Sequence, residues 1–78
     1  MTAQQLAVHV ALLKSRAESG VDYSPRFGAL CPSCGKPAKI VRTLSWEGDT
    51  RIRYHRCLTP GCILSSINQS IKSVEIDR

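Results

Sequence analysis

Apolar and polar positions follow three different periods along the chain. From Thr2 to Ser19, Leu6, Val10, Leu13 and Ala17 recur at i, i+4, i+7 and i+11, one stripe of a 3.6-residue helix. Thr2 with Gln5 three positions on forms a capping box, and Gly20 suits the positive-φ position just past a helix end. The predicted helix therefore runs over residues 2–19 with its stripe toward the core. Val8 and Leu12 lie about 200° round from that stripe. They are either single apolar residues on a surface helix, which are common, or the mark of a second apolar contact, with a partner protein or a second copy of the chain. His9 falls between the two faces and reads as a polar surface or interface residue.

Residues 20–30 have a turn composition, with Gly20, Pro25 and Gly28 among Asp22, Ser24 and Arg26. Tyr23, Phe27 and Leu30 within it are expected to pack the helix onto the cysteine-bearing ribbon, which makes this an ordered linker. Strand alternation then begins. Ile40, Arg42, Leu44 and Trp46 alternate with Val41, Thr43 and Ser45, and after the break at Glu47-Gly48-Asp49, Ile52, Tyr54 and Arg56 alternate with Arg51, Arg53, His55 and Cys57. Two such runs around a Gly-containing turn predict a β-hairpin. The face with Trp46, Tyr54, Ile40, Leu44 and Ile52 is expected to be core, with Arg42 and Arg56 snorkelling over it. Arg51, Arg53 and His55 are then expected outside. Residues 63–76 carry two periods at once. Ile67, Ile71 and Val74 with a Ser66–Gln69 capping box predict a short C-terminal helix, while Val74 to Asp77 alternates as a strand would.

The chemistry lies in four cysteines, Cys31, Cys34, Cys57 and Cys62, spaced C-x2-C-x22-C-x4-C. Pairs of cysteines on tight turns supply sulfur ligands two at a time to a tetrahedral ion, and a hairpin between the pairs brings the turns together. Pro60-Gly61 provides the turn that returns Cys62 to Cys57. The cofactor expected is one structural Zn2+, and four thiolates accept iron equally well. Two disulfides would require an oxidising compartment. Residues 1–13 lack the basic start of a signal peptide, so a cytoplasmic location is expected. A redox dithiol at Cys31 and Cys34 would need a preceding strand, which the pattern does not offer.

With 78 residues the chain forms one small domain that buries only about 60% of its unfolded surface. A metal staple answers that deficit, since zinc binding contributes about 10–16 kcal/mol to folding in small metallodomains. No apolar run approaches the roughly 20 residues of a membrane helix. Net charge is formally +5, and four thiolates with one divalent ion reduce it to about +3. The positive charge is concentrated: Lys36, Lys39, Arg42, Arg51, Arg53 and Arg56 all lie between Cys31 and Cys62, against Glu47 and Asp49. Phosphates attract such a cluster and Arg can read a guanine edge. Alternating Arg on a strand face also serves to keep a sheet edge soluble, and an acidic protein partner would suit it too. Neither His9 nor His55 has an evident nucleophile or paired carboxylate, so no catalytic residue is assigned and no enzyme activity is expected.

Cys31-Pro32-Ser33-Cys34, Ala38-Lys39-Ile40-Val41-Arg42-Thr43 and Arg53-Tyr54-His55-Arg56-Cys57 together resemble the Ogr/Delta family of phage zinc-finger transcriptional activators. The resemblance spans about residues 31–62. It implies a zinc-dependent DNA-binding protein that recruits host RNA polymerase to phage promoters. Thirty residues precede the first cysteine here, whereas family members begin almost at it. The reading of the sequence is then a small α+β zinc-ribbon: a helix over 1–20, a linker over 21–30, and over 31–78 a β-hairpin between two zinc knuckles followed by a short C-terminal helix. Its partners are DNA and host RNA polymerase or another host protein. A second reading is a protein-interaction module, docking through Val8 and Leu12 or forming a homodimer, without nucleic-acid binding.

Overall fold

The computed structural model describes residues 2–77. Helix α1 runs from Ala3 to Ser19, capped as its sequence dictates: Gln5 N–H donates to Thr2 Oγ1 at 3.1 Å and Thr2 N–H donates to Gln5 Oε1 at 2.9 Å. Gly20 ends it at φ 114°, ψ 135°. That is positive φ with an extended ψ, so the chain leaves the helix directly into strand β1, Val21–Asp22. Strand β2 is Lys39–Thr43, β3 is Thr50–Arg56, a single helical turn α2 spans Ile63–Ser66, and β4 is Ser70–Ile76. The sheet order is β1-β4-β3-β2, with β1 parallel to β4 and the other pairs antiparallel.

The predicted C-terminal helix is thus replaced by one helical turn and a strand. Asn68 at φ 54° stops the turn, a left-handed conformation that Asn tolerates. The hairpin decides the rest. A two-stranded hairpin leaves one edge of β3 unpaired, and residues 70–76 pair with all seven residues from Thr50 to Arg56.

β4 also fixes which face of the sheet is inside. Opposed residues share a face, so His55 joins Ile71, and Arg53 joins Ser73. His55, Ile71 and Ser73 are buried, with Leu13 and Ala17 of α1 and Leu64 of α2 completing the core beside Cys31, Cys57 and Cys62. The expected sidedness of the hairpin is therefore reversed: the His55 face is the interior, and the opposite, more open face has Arg56 exposed with Tyr54 and Ile52 half-buried. A bulge contributes to the difference. Ile40 pairs with His55 but Arg42 pairs with Tyr54, so Val41 is the extra residue and Ile40 and Arg42 do not share a face. Trp46, expected in the core, is 42% exposed. It lies beyond Thr43, where β2 ends, while the helix packs at the metal end. In the linker Tyr23 packs inward, whereas Phe27 and Leu30 are exposed and the small Ala29 is the buried residue.

Only the C-terminal half of α1 meets the domain. Leu13 and Ala17 are buried and Val10 half-buried, but Leu6, the first residue of the stripe, is 47% exposed. About 15 Å of helix, from Ala3 to Leu12 at 1.5 Å per residue, has little cover. It contributes to the elongated shape, 44 × 21 × 17 Å. No described helix is long and apolar enough to cross a membrane.

Candidate metal centre and basic sheet face

The four sulfurs meet at the end of the sheet next to α2. Cys31 and Cys34 sit on a tight turn closed by Gly35 N–H to Cys31 O (2.8 Å) and Cys31 N–H to Lys36 O (2.9 Å). Cys57 follows β3 directly, and Cys62 precedes α2 after the Pro60-Gly61 turn. All four Sγ atoms lie within 4.8 Å of one another, with Cys31···Cys62 and Cys34···Cys57 at 3.6 Å. A disulfide would place two sulfurs about 2.05 Å apart. Four sulfurs each about 2.3 Å from one ion stand about 3.8 Å apart along the tetrahedron's edges. The spacing and the donor set both fit a single ion, and the closest approaches join the two turns rather than the cysteines of one turn. The four cysteines form a cluster that can hold one metal ion.

The backbone prepares these thiols for that role. Burial, the largest influence, pushes Cys31 up to about 12 despite N–H groups from Cys34 and Ser33. Cys62 is also pushed upward by burial, yet the Ser65 N–H and the neighbouring Cys31, Cys57 and Ser33 side chains draw it down to about 6. The Lys36 N–H lowers Cys34. Thiolate is therefore favoured at Cys34 and Cys62, where N–H groups point at sulfur, and a cation must drive the proton from Cys31.

His55, two residues before Cys57, braces the site and is not among the clustered ligands. It is 1% exposed. Its Nδ1 faces the Ala38 carbonyl at 3.3 Å and its Nε2 the Ser73 hydroxyl at 2.7 Å. A carbonyl only accepts, so the proton sits on Nδ1 and Ser73 Oγ donates to Nε2. One neutral imidazole thereby ties the strand after the first cysteine pair to β3 and β4. Burial, chiefly, holds its pKa below the usual value. Strand alternation placed His55 with two arginines and gave no sign of this role; only the pairing of β3 with β4, which sets Ser73 diagonally across from it, could have.

The six basic residues singled out in the sequence fall into three placements. Arg53 points inward, paired with Glu75, its guanidinium 4.0 Å from the centre of the Tyr23 ring. Arg51 donates from Nε to the Leu44 carbonyl at 2.9 Å and lies over Trp46. Both are engaged within the domain. Lys39, Arg42 and Arg56 stand instead on the open face with Tyr54, joined there by Lys72. Lys36 is exposed on the first cysteine turn. Across the sheet the register gives one row of Arg42, Tyr54 and Lys72 and a second of Lys39 and Arg56. No carboxylate from β2, β3 or β4 shares this face; Asp22 of β1, in register with Val74 one row toward the tip, is the carboxylate that does. Val8 and Leu12 are 56% and 59% exposed on α1, beside His9 along a shallow groove.

No protein-family model, curated protein or solved structure matches this chain.

Proposed function

We propose that this chain is a zinc-stabilised nucleic-acid-binding module that acts in transcriptional regulation. The observation that carries the reading is the open sheet face, where Lys39, Arg42, Arg56 and Lys72 surround Tyr54 without a carboxylate from their own strands. Phosphate contacts supply most of the affinity of such surfaces. The Cys31, Cys34, Cys57 and Cys62 cluster supports a structural Zn2+, since four sulfurs fill a tetrahedral shell and leave no place for a reactive water. When bound, the ion supplies cross-linking of the two cysteine turns. His55 and α2 then orient β3 and β4, and with them the basic rows. The resemblance of residues 31–62 to the Ogr/Delta activators directs the regulatory role toward DNA and host RNA polymerase.

Fluorescence anisotropy with the zinc-loaded chain and a mixed-sequence oligonucleotide, single-stranded and annealed, tests the reading. Binding should weaken steeply with salt and be lost in Arg42→Glu with Arg56→Glu. Failure to bind either form at low salt would overturn it.

A second reading rests on α1. Leu6, Val8 and Leu12 are exposed, and no charged residue occurs from Ala3 to Leu13, as suits docking to a partner protein or a second copy. Under that reading light scattering shows a dimer, or a partner is held, and Val8→Glu or Leu12→Glu abolishes it. Under the nucleic-acid reading those changes leave oligonucleotide binding intact.

A further inference from the structure

The open face is a platform rather than a ribbon. Tyr54 lies on β3, an interior strand, with β2 on one side and β4 on the other. Neighbouring strands stand about 4.8 Å apart, so the three strands that carry Tyr54 and its flanking cations span about 10 Å at the backbone before side chains are counted, one strand more than a two-stranded ribbon. The major groove of duplex DNA is about 12 Å wide and admits a helix or a two-stranded ribbon. β4 accompanies β3 along its whole length, from Arg56 to Thr50. The part of the hairpin left unflanked is the tip, and it carries Glu47 and Asp49, which phosphates repel. A duplex laid on the platform would meet the cations but keep its bases away from Tyr54.

A single strand has no such restriction. Its bases can splay and stack on an aromatic ring while its backbone follows a basic track. Here the ring has a cation in register on each side, Arg42 and Lys72, and a second cationic pair, Lys39 with Arg56, one step closer to the metal. That step is two residues, about 7 Å along the strand. Toward the tip, the next row holds the half-buried Ile52 and Val74 and, on β1 beside Val74, the exposed carboxylate of Asp22. Positive charge thus falls away on one side of the ring and continues on the other, so a bound backbone has a defined course from Tyr54 toward the cysteine end.

We propose that this face binds a single-stranded polynucleotide, with a base stacked on Tyr54 and neighbouring phosphates held by Arg42, Lys72, Lys39 and Arg56. The proposal rests on the nucleic-acid reading above and names the form of the ligand. DNA and RNA offer the same stacking and phosphate chemistry, and the probes separate them.

The test uses the full zinc-loaded chain with labelled oligo(dT), oligo(U), and a mixed-sequence strand alone or annealed. The single strand should bind at least about 10-fold tighter than its duplex. The slope of log K against log salt should be about −3, from four contacts at roughly 0.7 each. Tyr54→Leu, which keeps apolar cover but removes the ring, should weaken single-strand binding about 5- to 150-fold, the range of base–aromatic stacking. Tyr54→Phe should retain it. Tighter binding of oligo(dT) assigns DNA as the source, tighter oligo(U) assigns RNA, and either supports the proposal. Should leucine at 54 unfold the sheet, Arg42→Gln with Lys72→Gln takes its place, and must cost the single strand more than the duplex. A duplex bound as tightly as the single strand, with Tyr54→Leu neutral, overturns the proposal and leaves the nucleic-acid reading standing. No binding of any probe overturns both.

Discussion

Ser73→Ala isolates the strut between the metal end and the last strand. Ser73 is fully buried, and its hydroxyl donates to His55 Nε2 at 2.7 Å. Alanine removes the donor without opening much space, leaving Nε2 as an acceptor with no water to replace it. A buried polar group orphaned in this way costs about 1–3 kcal/mol. In a domain of 60–100 residues each kcal/mol lowers Tm by about 4–8 °C, so the zinc-loaded variant should melt about 4–24 °C below the parent. Ser70→Ala is the control: same residue type, same strand, opposite face and exposed, with an expected effect within about 0.5 kcal/mol. His55→Phe has no nitrogen to orphan, so adding Ser73→Ala to it should cost less than in the parent, a coupling of at least about 0.5 kcal/mol. Thermal and urea melts of these variants beside the parent settle the matter. Equal melting of Ser73→Ala and Ser70→Ala, with no coupling, would refute the hydrogen-bond assignment.

Four further outcomes are expected. Chelation of the metal, or Cys57→Ser, should collapse near-UV circular dichroism and amide dispersion, because three of the seven core residues are cysteines and zinc binding contributes about 10–16 kcal/mol in small metallodomains. Zinc affinity should rise with pH between 6 and 8 by about one decade per unit for each proton displaced, since Cys31, pushed up to about 12, must lose its proton; near pH 6 and below, Cys62 also protonates and the dependence steepens. A competing chromophoric chelator measures this, and a pH-independent affinity would contradict it. Arg53→Ala should lower stability by about 1–3 kcal/mol through its bond to Glu75 and leave the salt slope of oligonucleotide binding unchanged, whereas Arg42→Gln should do the reverse. Gly20→Ala should cost about 1–3 kcal/mol in urea melts, because φ is 114° and the new Cβ would stand 3.0 Å from Val74 Cγ2.

The N-terminal helix was legible from local chemistry. Its cap, its period and its stop residue are contacts within four or five positions, and the structure reproduces them at Thr2, Gln5 and Gly20. The cysteine spacing was legible for a similar reason. Two tight turns fix each pair, and the hairpin between them can hardly avoid bringing the pairs together. The hairpin's second alternating run was also correct as a period, yet its inside and outside were exchanged, while the bulge at Val41 broke the period of the first. Period two states that faces differ; it does not state which one is covered.

Local geometry thus belonged to the amino-acid order alone: a capped helix, two cysteine turns, a hairpin and the four thiols they present. Long-range packing chose the pairing of residues 70–76 with β3 over a competing helical period, because an unpaired strand edge is satisfied only by a segment distant in sequence. That choice buried His55, turned Arg53 inward, left Tyr54 half-buried on the other face with Arg42, Arg56 and Lys72, and so placed the basic face on the side opposite the one that the alternation suggested. Burial depends on which elements dock, and docking is a property of the whole chain that no local window contains.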